Sequence, residues 1–218
     1  MRILRSTIVL FCICTSVLFA QTVADIDARA NKPTQSAVRN SGAPNWKQVI
    51  AKPSPLELSV SVPDPAKIQF GNPFQFQVEI RNLGAEPVTL PTSLLWSSVE
   101  AAAKQGDNIE LATLVIHMND QDGASYPASE SIVFYGSPDQ PGTLTVLNRG
   151  ESIRVMGTGG MRPNSAHSAP IVATKARLDV TFTLESARML ANSKTYHHDP
   201  IYWIHSPSSY EVYLQPTQ

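Results

Sequence analysis

The chain has 218 residues, a formal net charge of −1 and two cysteines, Cys12 and Cys14. Because both cysteines lie near the N-terminus, the rest of the chain can form no disulfide, no thiolate metal site and no cysteine nucleophile. The near-neutral charge gives no reason to expect a nucleic-acid partner. The length leaves room for one well-buried domain after the N-terminal segment.

The N-terminal segment has the composition of a secretory signal peptide. Two arginines precede an uncharged, mostly apolar run, Ile8–Ala20, which ends in a small residue. The run is short for a permanent membrane span, which requires about 20 apolar residues. We therefore predict a signal peptide at residues 1–20, cleaved after Ala20 or alternatively after Ala24. The mature protein is then periplasmic or extracellular and has no membrane span.

The next segment, residues 21–55, contains few large apolar side chains. Between Asp27 and Glu57 it carries five basic residues and no acidic residue. Such a segment buries too little apolar surface to offset the entropy of ordering it. We predict a disordered basic linker at 21–55, followed by one domain at 56–218.

Apolar and polar side chains alternate along much of this domain, which is the pattern of half-buried strands. The clearest runs are Phe74–Arg81 and Leu178–Leu184. Further strands are predicted at Leu58–Val62, from Val88, and at Leu111–Met118, Ser131–Tyr135, Leu144–Leu147, Ser152–Met156 and Tyr210–Leu214. Seven or more short strands separated by turn residues predict an all-β sandwich.

One short helix interrupts this pattern. Ser97 with Glu100 fits a capping box, and Gly106 stands where a helix usually ends. We predict a helix at 98–105 inserted between strands. Long connecting segments are predicted at about 97–110, 120–143, 157–176 and 186–209.

Two stretches carry a resemblance to a known group of domains. The sequence GNPFQFQVEIRNLGAEPVTLP at Gly71–Pro91 and LNRGESIRV at Leu147–Val155 resemble bacterial extracytoplasmic immunoglobulin-like domains. The pattern is also similar to the proteinase-inhibitor domain of bacilli. The resemblance implies an immunoglobulin-like antiparallel β-sandwich with long loops, and fold alone does not define a function.

Two turn-like motifs contain residue types that are found at ligand sites. Asp120, Asp122 and Gly123 could offer oxygen ligands to calcium, but Asp-Gly is a common hairpin turn and we favour the turn. Gly157–Gly160 has no following Lys-Ser/Thr, so a phosphate loop is not indicated. We expect this glycine run to be a flexible connection between strands.

The histidines near the C-terminus form the densest group of candidate metal ligands. His197 and His198 are adjacent, so in an extended chain they point to opposite faces. A metal-dependent activity would have to combine one of them with His205 and a distant residue. We favour surface histidines and predict neither a metal site nor a cofactor.

Function is predicted from compartment and fold class, because no catalytic motif is present. We predict a non-enzymatic binding or structural module of the bacterial cell envelope, with an envelope or extracellular protein or polymer as its partner. Its contact surface is predicted at Tyr196, Tyr202 and Trp203, because Tyr and Trp are favoured at recognition surfaces. The alternatives are a proteinase inhibitor acting through a sandwich loop, or a metal-dependent activity at His197–His205.

Overall fold

The computed structural model describes residues 21–30, 53–64, 68, 72–95, 108–121, 123, 125–129, 131–160, 174–189 and 196–214. These residues form strands and turns, and none of them lies in a helix. No helix long and apolar enough to cross a membrane occurs in this part of the chain. The prediction of an all-β chain is confirmed for these residues. The predicted signal peptide and the predicted helix at 98–105 lie outside them.

Twelve strands follow one another along the described residues: β1 (Thr22–Asp27), β2 (Leu56–Ser61), β3 (Pro73–Asn82), β4 (Val88–Pro91), β5 (Ser93–Leu94), β6 (Asn108–Asp120), β7 (Ser125–Pro127), β8 (Ile132–Gly136), β9 (Leu144–Leu147), β10 (Ser152–Gly160), β11 (Thr174–Met189) and β12 (Tyr196–Leu214). A first sheet has the order β1-β10-β3-β2. A second has the order β12-β11-β6-β8-β5, with β7 also paired to β6, and β4 and β9 form a two-stranded sheet. The pair β1–β10 is parallel, and the other pairs among these strands are antiparallel.

The two larger sheets share one hydrophobic core. Phe76 and Val78 of β3 are buried in the same cluster as Leu178, Val180 and Phe182 of β11. The alternating runs identified in the sequence therefore turn their apolar faces toward each other, as predicted for half-buried strands. Burying four such side chains of one strand contributes a gross gain of about 8 kcal/mol, at about 2 kcal/mol each.

The glycine run Gly157–Gly160 is part of a strand, so the prediction of a flexible connection is wrong. These residues end β10 and pair with the start of β3. A Cβ atom on Gly157 would lie 2.3 Å from the Cζ of Phe76, and one on Gly159 would lie 2.5 Å from the Cζ of Phe74. Glycine is favoured at Gly157 because the Phe76 ring lies over the backbone, and at Gly159 because the Ala128 carbonyl and the Phe74 ring do so.

The start of the predicted linker is also a strand. β1 lies within residues 21–55, and Ile26 and Ala28 are buried against the core. Disorder was predicted because large apolar residues are few, but pairing with β10 orders the segment with only these two buried side chains. Residues 31–52 of the predicted linker lie outside the described residues.

A buried amide side chain organises the turn after β3. The Asn82 Nδ2 donates hydrogen bonds to the carbonyls of Glu86 at 2.8 Å and Leu147 at 2.9 Å, while its Oδ1 accepts from the Gly84 amide at 2.8 Å. Asn82 has no exposed surface. The Asn-x-Gly sequence therefore connects the β3–β4 turn to β9, which is far away in sequence.

Candidate functional site

All three residues of the predicted contact surface lie in β12, and two of them, Tyr202 and Trp203, lie on opposite faces of the strand. The Tyr202 ring packs against the main core, whereas Trp203, the next residue, is half-buried on the opposite face. Tyr196 begins the strand opposite Met189, and its side chain lies outside the described part. The prediction of a long loop at 186–209 is wrong, because β11 and β12 form an antiparallel ladder over most of this segment.

A polar network lies on the face of the second sheet that is turned away from the main core, which we call the outer face. At its centre is Asp179 of β11, whose side chain is only 3% exposed. The Asn119 Nδ2 donates to Asp179 Oδ2, and the Arg177 Nε donates to Asp179 Oδ1 at 3.0 Å. A buried carboxylate is costly unless it is paired and hydrogen-bonded, and these donors meet that requirement.

His205 connects this network to the exposed part of the outer face. Its Nε2 lies 3.5 Å from Asp179 Oδ2, and its Nδ1 lies 3.3 Å from the Thr181 hydroxyl oxygen. The Trp203 ring stacks beside the imidazole, with centroids 6.0 Å apart and planes inclined by 16°. Because both ring nitrogens have neighbours on β11, the imidazole is oriented and the Trp203 ring is supported on one side.

A second histidine borders the network from β6. His117 is directly opposite Asp179 in the ladder and is half-buried. Burial lowers the pKa of His117, and the nearby His205 lowers it further, while the Asp179 carboxylate raises it. Despite this grouping, the described residues contain no set of three His, Cys, Asp or Glu side chains placed to hold a metal ion. The side chains of His197 and His198 are outside the described part.

The His205 imidazole lies between the Thr181 hydroxyl and the Asp179 carboxylate. In a catalytic triad the base lies in the same way between the nucleophile and the orienting acid. Acyl transfer also requires N–H donors directed at the developing oxyanion. Thr181 is paired with Val115 on one side and with His205 on the other. Its backbone N–H therefore lies within the sheet and does not serve as such a donor. The arrangement therefore offers an oriented imidazole, a hydroxyl and an indole for contact with a ligand.

Sequence reasoning missed Asp179, Thr181 and His117 as members of one site. The signal was present in the polar positions of the Leu178–Leu184 alternation, where an acidic residue stands within a strand that pairs on both sides. A carboxylate in such a position requires partners, but only the tertiary pairing identifies them.

The chain turns between Asp120 and Gly123, as predicted. The Gly123 amide donates to the Asp120 carbonyl at 3.2 Å, and Gly123 has a φ of 83°. The Tyr126 hydroxyl donates to the Asp120 carboxylate at 3.0 Å, which ties the two strands of the hairpin together. Asp122 lies outside the described residues.

No family model and no curated protein matches the chain. Among solved structures it is similar to AvmM, which catalyses macrocyclization in Alchivemycin A biosynthesis, with 11% identity and a TM-score of 0.34 over 75% of this chain and 90% of that chain. It is also similar to the putative ApaA protein from Bordetella pertussis, with 14% identity and a TM-score of 0.27 over 71% of this chain and 94% of that chain.

The prediction that the chain is not an enzyme is contradicted by this comparison, since AvmM catalyses a reaction. That prediction was inferred from the lack of a catalytic motif, and we withdraw it. At a TM-score of 0.34 the likeness assigns no reaction to this chain.

Proposed function

We propose that this chain is an exported bacterial protein that binds an envelope or extracellular protein or polymer through its outer face at Trp203. One observation carries the proposal: Trp203 and His205 stand side by side on β12, and Asp179 and Thr181 hold the imidazole in place. A partly exposed indole on a rigid support offers contact area at a small entropic cost.

We also propose that the fold is immunoglobulin-like. In such domains one sheet contains strands in the order A-B-E and the other in the order G-F-C. The order β2-β3-β10 fits the first sheet, and β12-β11-β6 fits the second. In this scheme the proposed contact face lies on the G-F-C sheet. The export part of the proposal depends on the basic and apolar pattern of residues 1–20.

Binding is tested with mature protein and isolated cell envelopes, by co-sedimentation followed by cross-linking and identification of the captured component. Trp203→Ala is compared with Val146→Ala, which truncates an exposed side chain on β9. We expect Trp203→Ala to weaken binding at least tenfold, as for a central aromatic contact, and Val146→Ala to have little effect. Equal binding by the wild type and both variants would show that the contact lies elsewhere.

A second comparison tests the support of the indole. Thr181→Val removes the hydroxyl beside the His205 Nδ1 without changing the shape of the side chain, so the imidazole loses one of its two neighbours. We expect an intermediate loss of envelope binding with an unchanged melting temperature. If Thr181→Val binds as tightly as the wild type, binding through Trp203 does not depend on the network that holds His205.

A further inference from the structure

We propose that processing after Ala20 creates an edge strand of the fold, with Gln21 as the first residue of the mature chain. The sequence leaves two cleavage positions open, after Ala20 and after Ala24. The contacts of β1 distinguish them, because the two products differ by the residues Gln21–Ala24. This inference depends on the export proposed above and is independent of the surface at Trp203.

The first residues of β1 already contact the body of the protein. The Ser152 amide donates to the Gln21 carbonyl at 3.0 Å, and an Arg154 guanidinium nitrogen lies 3.4 Å from the Thr22 hydroxyl oxygen. Ser152 is fully buried. A buried amide without a partner is costly, and the Gln21 carbonyl is the partner of the Ser152 amide.

The end of β1 anchors the strand in the core. Ile26 and Ala28 are 9% and 3% exposed, and the Ala28 amide donates to the Met156 carbonyl at 2.8 Å. Asp25 adds an ion pair with Arg154 at 3.4 Å. Cleavage after Ala24 would keep this end but would remove the half of the strand that covers the start of β10.

The first half of β1 also pairs with the backbone of β10. β10 pairs with β3 on one side and with β1 on the other, so removing half of β1 uncovers backbone groups of β10. Cleavage after Ala20 therefore keeps the whole of β1 on β10, whereas cleavage after Ala24 leaves the start of β10 without its partner.

The full chain is expressed in an exporting bacterial host and recovered from the periplasm or medium, and its N-terminus is determined by intact mass and sequencing. We expect the mature chain to begin at Gln21. A chain beginning at Asp25 would overturn this inference and leave export standing. A chain that retains residues 1–20 would overturn both.

Docking of the strand is measured on the same exported protein by hydrogen exchange at the Ser152 amide. We expect slow exchange, and exchange at the rate of an unprotected amide would overturn the proposal. Ile26→Ala should speed this exchange and lower the melting temperature by about 5 °C. Val23→Ala, at a position 36% exposed on the same strand, should change neither. Equal effects of the two variants would contradict a docked β1.

Discussion

Replacing Asn82 with alanine tests whether one buried amide connects the turn after β3 to β9. The substitution removes two hydrogen bonds donated to the carbonyls of Glu86 and Leu147 and one accepted from the Gly84 amide. The Leu147 carbonyl is bonded in a buried position, so water does not readily replace the lost donor.

The expected loss can be worked out from these contacts. At about 1 kcal/mol for each hydrogen bond, Asn82→Ala should lower the free energy of unfolding by about 3 kcal/mol. This is a large part of the roughly 5–15 kcal/mol that stabilises a typical domain. For a chain of this size the melting temperature should fall by about 6–12 °C. Asn82→Asp keeps the shape but can no longer donate at neutral pH, so we expect a loss at least as large.

The assay is equilibrium unfolding in urea, followed by tryptophan fluorescence and circular dichroism. Asn148→Ala is the matched control, because its Nδ2 bonds to the Glu151 carboxylate in an exposed position, at 3.0 Å. We expect the control to change stability by less than about 0.5 kcal/mol. If Asn82→Ala and Asn148→Ala have the same unfolding midpoint, the turn is not held by the buried amide and our reasoning fails.

Gly157→Ala should destabilise by about 1–3 kcal/mol, because its Cβ would lie 2.3 Å from the Phe76 Cζ and the ring would have to move. Gly160→Ala, with its nearest neighbour at 3.8 Å, should change urea stability little, and similar losses for both would contradict the close ring contact. The pKa of His117 is lowered by burial and by His205. At pH values below the ordinary histidine pKa of about 6.5, the unfolded chain therefore binds more protons than the folded chain. The free energy of unfolding should therefore fall as the pH drops from 7 to 5, and this dependence should be smaller in His117→Gln. If urea unfolding gives the same pH dependence for the wild type and the variant, the explanation by His117 is refuted.

Several features of the fold were predictable because they depend on residues close together in the chain. Side-chain alternation identified the buried faces of β3 and β11, since consecutive residues of a strand point to opposite faces. The Asp-Gly sequence identified the turn at Gly123. Local pattern failed at Gly157–Gly160, because close approaches from other strands and from the Ala128 carbonyl explain the glycines at Gly157 and Gly159.

The candidate site could not be predicted to the same degree. The polar positions along Leu178–Leu184 were visible, but their partners come from β6 and β12, which are distant in sequence. Tyr202 and Trp203 looked like one aromatic surface, yet the strand places their side chains on opposite faces.

The sequence by itself therefore determined the strand pattern, the lack of cysteines after Cys14 and the two positions where cleavage is expected. Only the tertiary structure decided which strands are neighbours, and with that the network around Asp179 and the order in β1. The physical reason is that alternation specifies which face of a strand is apolar but not which strand lies beside it. Pairing depends on register and packing across the whole chain.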